Sequence, residues 1–350
     1  MMKHEPVRQE MSDMYPVMLQ RPLRMKSAGT RHSCVFRAAA RRCAGSDSGT
    51  MIRRLSLWIL VLAFATSLAQ AAEQEKVPAN HPPGFVMPEP DAVIRLWPGD
   101  VPGLVPNGNA ETFVNERYAN VSVPQLFAYL PPEEKASGSA LVICAGGGYA
   151  HLSMCLHVDN VVKLLHDEGI AVFGLKYRTR YGDNDVVADA LADGKRAIRM
   201  VRSRASEWGI KPDRIGIQGY SAGANLALNL AARFDDGDPH AADAIERVSC
   251  RPDFCVLMCL WAGPQTIVDF PLRSNSPPTF FAHAEDDKTA PIGFAREVNE
   301  KLRGLGVPQE MFVVESGGHG AFHCGMVEGP GAKWPEALLP WLEKINMRSR

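Results

Sequence analysis

The stretch that most restricts the fold is Arg-Ile-Gly-Ile-Gln-Gly-Tyr-Ser-Ala-Gly, which runs from Arg214 to Gly223. Its first half is an apolar strand pattern, and its end has the form Gly219-x-Ser221-x-Gly223. This form is typical of a nucleophile elbow, a strained turn between strand and helix that exposes a serine hydroxyl and needs small neighbours. A pattern this short also occurs by chance. The rest of the chain must therefore supply the partners that a serine nucleophile requires.

Around the elbow, short apolar strand patterns alternate with helical patterns over residues 92–347. This alternation predicts an α/β-hydrolase fold, with a mostly parallel central sheet and helices on both faces. A leading antiparallel hairpin is expected at 117–129. Further strands are expected at 140–144, 170–177, 214–218, 254–261, 279–283 and 311–315, and helices at 158–167, 185–208, 222–233, 293–305 and 334–345. About fifteen residues separate Trp261 from Pro277, so the fold should have a minimal lid.

A nucleophilic serine needs a base to accept its proton and an acid to hold that base in the correct tautomer. In the predicted fold the acid follows the serine on the turn after a late strand. The turn after 279–283 carries three acidic residues, and motif position favours Asp287 as the acid. Asp286 and Glu285 are the alternatives, and either could be a solvated turn residue.

The base should lie on the loop after the last strand. The glycine-rich stretch 316–320 stands at that place, and His319 within it is the predicted base. His323 is the alternative, although a histidine four residues later is expected to point elsewhere and to be a surface or packing residue. The resulting order of serine, acid and base along the chain is the one expected for this fold.

The tetrahedral intermediate of ester cleavage needs amide donors aimed at its oxyanion. The segment Cys144–Tyr149 follows a predicted buried strand and contains three consecutive glycines, which allow the backbone to approach a substrate closely. The N–H groups of Gly147, Gly148 and Ala222 are the predicted donors. A phosphate-binding loop is the other interpretation, but no Lys-Ser or Lys-Thr follows the glycines.

Three aromatic residues near the predicted site could stack on a sugar or ferulate ring: Tyr149, Tyr220 and Trp261. The ordinary alternative is packing beside the sheet, which the sequence favours. No metal site is predicted, because no Cys/His spacing fits zinc and the acidic stretch 235–240 lacks a full calcium loop. No cofactor is expected.

The chain begins with segments that we expect to lie outside a catalytic domain. Residues 1–50 have no apolar periodicity and are expected to be a disordered extension from a start codon assigned too far upstream. Residues 51–72 have the basic start, short apolar core and small-residue end of a secretory signal peptide, with cleavage near Ala71 or Ala72. A proline-rich linker is expected at 73–91. Export to the periplasm or beyond the cell is therefore predicted, without stable membrane insertion after cleavage.

Residues 73–350 contain 27 Lys and Arg residues against 35 Asp and Glu residues. This acidic balance argues against nucleic acid or an anionic membrane as a partner, and the length suits one domain with a large core. The oligomeric state is not predicted. A disulfide between Cys250 and Cys255 is possible in an exported protein, but free buried cysteines are the commoner arrangement.

Several stretches together resemble a known family: LWPGDVPG (96–103), AGGGYAHL (145–152), LKYR (175–178), AIRMVRSRASEWGIKPDRIGIQGYSAG (197–223), RPDF (251–254), SPPTFFAHAEDD (276–287) and GGHG (317–320). Over 95–342 the chain resembles the bacterial α/β-hydrolase carbohydrate esterases related to acetylxylan esterases and bifunctional feruloyl/acetylxylan esterases. The resemblance implies a serine esterase that acts on acylated polysaccharide or a small ester through Ser221, Asp287 and His319. The chain differs from these relatives at Ala145 and at Ala224-Asn225, the second of which is commonly Gly-His in the relatives.

Relatives of this kind are sometimes labelled endo-1,4-beta-xylanases, but a glycosidase requires two carboxylates that flank the glycosidic bond, and the sequence singles out no such pair. A general short-chain carboxylesterase and a prolyl-oligopeptidase-like peptidase are the enzymatic alternatives. The non-enzymatic alternative is a catalytically dead hydrolase fold that serves as a binding module.

Overall fold

An eight-stranded sheet forms the centre of the fold in the computed structural model, which describes residues 85–104, 110–323 and 326–348. In chain order the strands are β1 (Ala92–Arg95), β2 (Thr112–Val114), β3 (Arg117–Ala119), β4 (Gln125–Tyr129), β5 (Ser139–Cys144), β6 (His151–Leu152), β7 (Ile170–Lys176), β8 (Ile215–Tyr220), β9 (Cys255–Met258), β10 (Thr279–Ala284) and β11 (Gln309–Val314). The main sheet has the order β1-β4-β7-β5-β8-β9-β10-β11, and the pairs from β7 to β11 are parallel. The mostly parallel sheet predicted from the sequence is confirmed.

The central strands are buried at every position, from β5 and β7 through β8, β9 and β10. Their sequences are nearly continuous apolar runs, and burial on both faces is the usual state of a parallel strand. The carboxyl ends of parallel strands meet along one edge of a sheet, where ligands commonly bind. The loops after β5, β8, β10 and β11 all leave from this edge.

Five helices accompany the strands in the described ranges: α1 (Asn160–Asp167), α2 (Val186–Ser203), α3 (Ala222–Arg233), α4 (Ile292–Gly304) and α5 (Trp334–Lys344). The bounds of α3, α4 and α5 agree with the predicted helices to within one residue. The predicted helix 185–208 ends earlier, at Ser203, and a 3-10 turn over Ala205–Trp208 follows. A π-helical turn over Cys155–Asp159 precedes α1.

The hairpin predicted at 117–129 is wrong. Its two halves form β3 and β4, which lie in different sheets: β3 pairs with β2 and β6 in a small antiparallel sheet, whereas β4 pairs with β1 and β7. The connection between them is bound to other segments, because the Val121 N–H donates to Thr179 and the Pro124 carbonyl accepts from Leu96. These long-range partners separate two strands that local alternation alone would pair.

A buried ionic network joins two of the stretches that carry the family resemblance, 96–103 and 175–178, to α2. The guanidinium of Arg178 is fully buried and forms ion pairs with Asp193 at 2.9 Å and Asp189 at 2.8 Å, both on α2. It also donates to the Pro102 carbonyl, and the Trp97 indole donates to Asp193. Because buried charges require such complete pairing, these residues act as a structural support for the sheet edge.

The connection after β9 is short, and its only regular element is a 3-10 turn over Ile267–Asp269. This agrees with the minimal lid predicted from the chain length. The cysteines in the described part of the chain are free thiols, including Cys250 and Cys255, so the possible disulfide between them is not formed.

The predictions for residues 1–50, for the signal peptide at 51–72 and for most of the linker at 73–91 lie outside the described residues. Residues 85–91 contain no helix or strand, and β1 begins directly after them. Over the ranges that the structure describes, no helix is both long and apolar enough to cross a bilayer.

Candidate active site

Ser221 lies on the sharp turn between β8 and α3, with backbone angles φ 55° and ψ −117°. This left-handed conformation is unfavourable for a residue with a side chain, and such strain is a hallmark of a nucleophile elbow. A Cβ atom on Gly219 would lie 2.0 Å from the Gly223 carbonyl oxygen, and one on Gly223 would lie 2.0 Å from that of Cys144. Both positions therefore require glycine, for the reason that the pattern suggested.

The turn after β10 brings a carboxylate to the imidazole of His319. Asp287 Oδ2 lies 2.7 Å from His319 Nδ1, while its Oδ1 accepts from the Thr289 and Ala290 N–H groups at 2.9 Å each. Burial alone would raise the pKa of Asp287, but the hydrogen bonds from His319 and Ala290, with the nearby imidazoles, bring this pKa below its usual value. Asp287 is thus a buried carboxylate that stays ionised and orients the His319 ring.

The two other acidic residues of this turn have different partners. Asp286 accepts hydrogen bonds from the N–H groups of Gly317 and Gly318, at 3.2 Å and 2.7 Å. Glu285 is exposed and forms an ion pair with Arg296. Asp286 therefore holds the backbone of the loop that carries the candidate base, a role that the sequence did not predict, and Glu285 is a surface residue.

The loop of His319 is held beside the residue that precedes the candidate nucleophile. The Tyr220 hydroxyl donates to the His319 carbonyl, and the two rings are 5.7 Å apart in an edge arrangement. Ligand atoms of Cys259, Asp287 and His319 all lie within 4.8 Å of one another, as in some metal sites. Burial raises the pKa of the Cys259 thiol, however, and metals bind the thiolate. The cluster is accounted for by the hydrogen-bonded pair of Asp287 and His319 with a neutral thiol beside it.

His323, the alternative base, packs against Tyr220 with their rings 5.0 Å apart. Burial, followed by the proximity of His319, lowers the pKa of His323 to about 4. Its ring has no contact with the Asp287 carboxylate among the described hydrogen bonds and ion pairs. His323 is therefore a neutral packing residue, in agreement with the interpretation favoured from the sequence.

The loop after β5 has a conformation that glycine alone adopts easily. Gly147 has φ +142°, and a Cβ atom there would lie 2.1 Å from the carbonyl oxygen of His151. Gly148 has φ +61° with open space around it. The Gly147 carbonyl accepts from the N–H groups of Ala150 and His151, which closes the loop onto β6. We call residues Ala145–Gly148 the oxyanion loop.

The oxyanion loop lies directly beside Ser221. A Cβ atom on Gly146 would be 3.1 Å from the Ser221 Cβ atom. In the described part of the chain, the N–H groups of Gly147 and Gly148 have no acceptor, and neither has that of Ala222 at the first position of α3. The three predicted oxyanion donors are thus unpaired amides on the two segments that meet at Ser221.

Two of the three candidate aromatic contacts are core residues. Tyr149 is 3% exposed and Tyr220 is 5% exposed. The Tyr149 hydroxyl donates to Asn225 Oδ1 at 2.9 Å, and its ring packs against Tyr177 and Trp261. The structure therefore favours packing over substrate stacking for both tyrosines, because their rings and hydroxyls already have protein partners. Trp261 remains partly exposed.

Asn225, one of the departures from the resembled family, is the centre of a buried amide network. Its Nδ2 donates to the Ala262 carbonyl and to Gln265 Oε1, both at 3.0 Å. Asn229 Nδ2 donates to the Asn225 carbonyl and side chain. Together with Tyr149 these residues fix the connection after β9 to the first turns of α3.

Two residues that support the oxyanion loop were not identified from the sequence. The Tyr177 hydroxyl donates to the Ala145 carbonyl at 2.6 Å, and the Gly146 N–H donates to Nδ1 of His157 at 3.1 Å. Tyr177 lies in one of the resembled stretches, which is a signal that could have found it. His157 lies just before the predicted helix 158–167 and in none of the motifs, so its contact with the loop depends on the tertiary structure.

The chain is similar to several known proteins. Residues 126–249 match the family model described as BD-FAE, a range that includes the oxyanion loop and Ser221 and ends before Asp287. A solved structure of an acetyl ester-xyloside bifunctional hydrolase from Caldicellulosiruptor lactoaceticus is similar, with a TM-score of 0.62 and 29% identity. The similarity covers 76% of this chain and 100% of that one.

The chain also matches parts of two longer curated relatives. Endo-1,4-beta-xylanase B of Butyrivibrio fibrisolvens is 29% identical over 226 residues, which cover 57% of this chain and 34% of that protein. Acetylxylan esterase of Xylanibacter ruminicola is 27% identical over 253 residues, which cover 63% of this chain and 48% of that protein. The chain thus spans between a third and a half of the length of these relatives.

Proposed function

We propose that this chain, which has the α/β-hydrolase fold, is a serine carboxylic-ester hydrolase that uses Ser221 as nucleophile, His319 as base and Asp287 as acid. The observation that carries the proposal is the 2.7 Å contact between Asp287 Oδ2 and His319 Nδ1 next to a strained serine elbow. A partly exposed serine, a buried carboxylate and an imidazole, in this order along the chain, are the groups that acyl transfer to a serine requires.

In the proposed reaction, the Ser221 hydroxyl oxygen attacks the ester carbonyl while His319 Nε2 takes the hydroxyl proton. Asp287 accepts the Nδ1–H hydrogen bond and stabilises the imidazolium that forms. The carbonyl oxygen gains negative charge, which the N–H groups of Gly147, Gly148 and Ala222 stabilise, each by about 3–4 kcal/mol.

The tetrahedral intermediate then loses the alcohol, which receives the proton from His319 as the C–O bond breaks. The acyl group remains as an ester on Ser221. Water attacks this ester with His319 again as base, and the acid and free enzyme are released. Each step needs only these groups and water.

Within ester hydrolysis, the proposed substrates are acetyl or feruloyl esters of xylan-like polysaccharides or oligosaccharides. The support is that one relative is named an acetylxylan esterase and the similar solved structure is named an acetyl ester-xyloside bifunctional hydrolase. The short connection after β9 suits a bulky substrate, since it carries no large lid. The xylanase name of the other relative belongs to a protein of which this chain matches 34%. The proposal includes export through the pattern at 51–72.

The test is an assay of the purified protein on p-nitrophenyl acetate, followed by acetate release from acetylated xylan and ferulate release from methyl ferulate. We expect ester cleavage, with acetylated xylan among the substrates. The Ser221→Ala variant should lose at least about 10⁴-fold in kcat while keeping its thermal unfolding temperature. Cleavage of small esters alone would favour the general carboxylesterase.

Other outcomes would overturn the proposal. Peptide cleavage without ester cleavage would favour the peptidase, and polysaccharide binding without any hydrolysis would favour the binding module. Full activity of the Ser221→Ala variant would refute Ser221 as the nucleophile.

A further inference from the structure

His157 occupies a position where the backbone departs from an ordinary helix. It is the central residue of the π-helical turn Cys155–Asp159 that leads into α1. Turns of this kind are rare and occur frequently at functional sites, because the extra residue redirects a side chain. The His157 side chain points inward and is 9% exposed.

The imidazole of His157 holds the backbone of the oxyanion loop. Its Nδ1 accepts the hydrogen bond from the Gly146 N–H at 3.1 Å. This bond requires a lone pair on Nδ1, so the ring is neutral with its proton on Nε2. Gly146 immediately precedes Gly147 and Gly148, two of the three predicted oxyanion donors, and the bond therefore sets the direction from which these two residues approach Ser221.

The same ring links the oxyanion loop to the other side of the site. It stacks on Tyr220 with centroids 4.2 Å apart and planes inclined by 15°. Tyr220 precedes Ser221 and donates its hydroxyl proton to the His319 carbonyl. One aromatic stack thus contacts the oxyanion loop, the elbow and the loop of the base.

The surroundings keep His157 neutral. Burial, and then the proximity of His323, His319, His151 and Arg117, lower the pKa of His157 well below its usual value. These groups are imidazoles or a guanidinium, and none is an acid that would favour a charged ring. The acceptor at Nδ1 is therefore maintained while His319 changes its protonation state during turnover.

The proton on Nε2 has no partner among the residues that the structure describes. A buried donor without an acceptor is unfavourable, and each such group in a folded protein needs an explanation. A residue selected only for packing would be apolar at this place. The bond to Gly146 is what an apolar side chain could not supply.

We propose that His157 is a positioning residue that fixes the oxyanion loop through its Nδ1 atom, and that its effect on catalysis is exerted through the placement of the Gly147 and Gly148 amides. The proposal rests on the proposed ester hydrolysis. It separates the acceptor function of the ring from its packing function, which two substitutions can test independently.

The variant His157→Phe keeps an aromatic ring against Tyr220 and removes the acceptor. The variant His157→Asn removes the ring and keeps an oxygen acceptor close to the former Nδ1 position. We expect kcat for p-nitrophenyl acetate to fall about 10-fold to 100-fold in His157→Phe with KM changed less than about threefold, because oxyanion contacts strengthen in the transition state. His157→Asn should retain at least about a third of the kcat of the parent protein.

A merely structural role predicts the reverse order, with His157→Phe fully active and His157→Asn impaired, and that result would overturn the proposal. An equal fall in both variants would overturn it too. His323→Phe is the matched control, since the His323 ring packs against Tyr220 and also against His157, at 5.3 Å, and within the described ranges no hydrogen bond is found between its side chain and the oxyanion loop. Its kcat should stay within about threefold of the parent value.

A second measurement does not depend on activity or on the variants folding. Long-range ¹H–¹⁵N spectra of the parent protein should show His157 with an unprotonated Nδ1 and a protonated Nε2, without titration from about pH 5 to about pH 8. A protonated Nδ1 would overturn the inference. Absence of ester cleavage by the parent protein would refute the proposed function, whereas an active parent with an active His157→Phe variant would refute only the role of His157.

Discussion

The two sides of Ser221 are held in place by different kinds of interaction. On one side, the Asp287 carboxylate accepts from His319 and from two backbone amides, and a second carboxylate, Asp286, accepts from the glycines before His319. On the other side, the oxyanion loop is held by neutral groups: the Tyr177 hydroxyl, the His157 imidazole and backbone amides.

The difference follows from what each side does in the proposed reaction. There the acid and base side transfers a proton, so a buried negative charge must remain ionised next to the imidazole that accepts that proton. The oxyanion side must present fixed dipoles to a charge that appears only in the transition state, and any resident anion there would compete for the same amides. Neutral supports satisfy this requirement. Substitutions on the two sides should therefore differ in size and in kind.

The largest effect is expected for Asp287→Asn on the acid and base side. The amide cannot stabilise the imidazolium and favours the wrong tautomer of His319, so kcat for p-nitrophenyl acetate should fall about 10⁴-fold near pH 7. Circular dichroism and thermal unfolding provide the control for folding. A fall of less than about tenfold would mean that a different carboxylate serves as the acid.

A smaller but still large effect is expected for Gly147→Ala on the oxyanion side. The new Cβ atom would lie 2.1 Å from the His151 carbonyl oxygen, and φ +142° is strained for alanine, so the loop must move. Loss of one well-placed oxyanion donor corresponds to a fall of about 10²-fold to 10³-fold in kcat. The assay should be paired with thermal unfolding.

Gly148→Ala is the matched control for this variant, because Gly148 also has positive φ but no atom lies within 4 Å of the place that a Cβ atom would take. The Gly148→Ala variant should lose only about 1–2 kcal/mol of folding stability, through left-handed backbone strain, and its kcat should stay within about tenfold of the parent value. Equal losses of kcat in the two variants would show that strain alone, rather than displacement of the loop, explains the effect.

The smallest effect is expected for Asp286→Asn. Asp286 is on the acid and base side, and its substitution acts through the backbone of the His319 loop. The amide keeps one acceptor oxygen and loses the charge that strengthens the bonds to Gly317 and Gly318, so kcat should fall about threefold to tenfold. Glu285→Gln is the control, with activity unchanged, since the Glu285 side chain is exposed and forms an ion pair with a surface arginine. If Asp286→Asn lost as much activity as Asp287→Asn, the assignment of the acid would be contradicted.

Sequence patterns predicted the features of this protein that depend on residues close together in the chain. The alternation of apolar strands and helices predicted the mostly parallel sheet, because a strand buried on both faces is a nearly continuous apolar run. The glycines around Ser221 predicted the elbow, because no side chain fits where β8, α3 and the end of β5 meet. Motif position in the turn after β10 predicted Asp287, and the structure brings that residue to His319.

Local patterns failed where the partner lies far away in the chain. The stretch 117–129 alternates like a hairpin, yet its halves pair with strands of two different sheets. Tyr149 and Tyr220 were candidates for substrate contact, but both are buried. The Tyr149 hydroxyl donates to Asn225, and the Tyr220 ring stacks on His157. Asp286 is exposed, as its place in a surface turn suggested, but its hydrogen bonds to the loop of His319 could not be predicted from that turn.

The sequence by itself determined the elements and the order of the reactive side chains, since strand periodicity and glycine conformation are properties of neighbouring residues. The tertiary structure alone decided which groups hold those side chains in place. His157 is the clearest case, because nothing within the stretch around it indicates that its Nδ1 atom will meet the Gly146 amide. That contact exists only once the sheet, the π-helical turn and the elbow have packed together, and its energy depends on burial that a linear sequence does not contain.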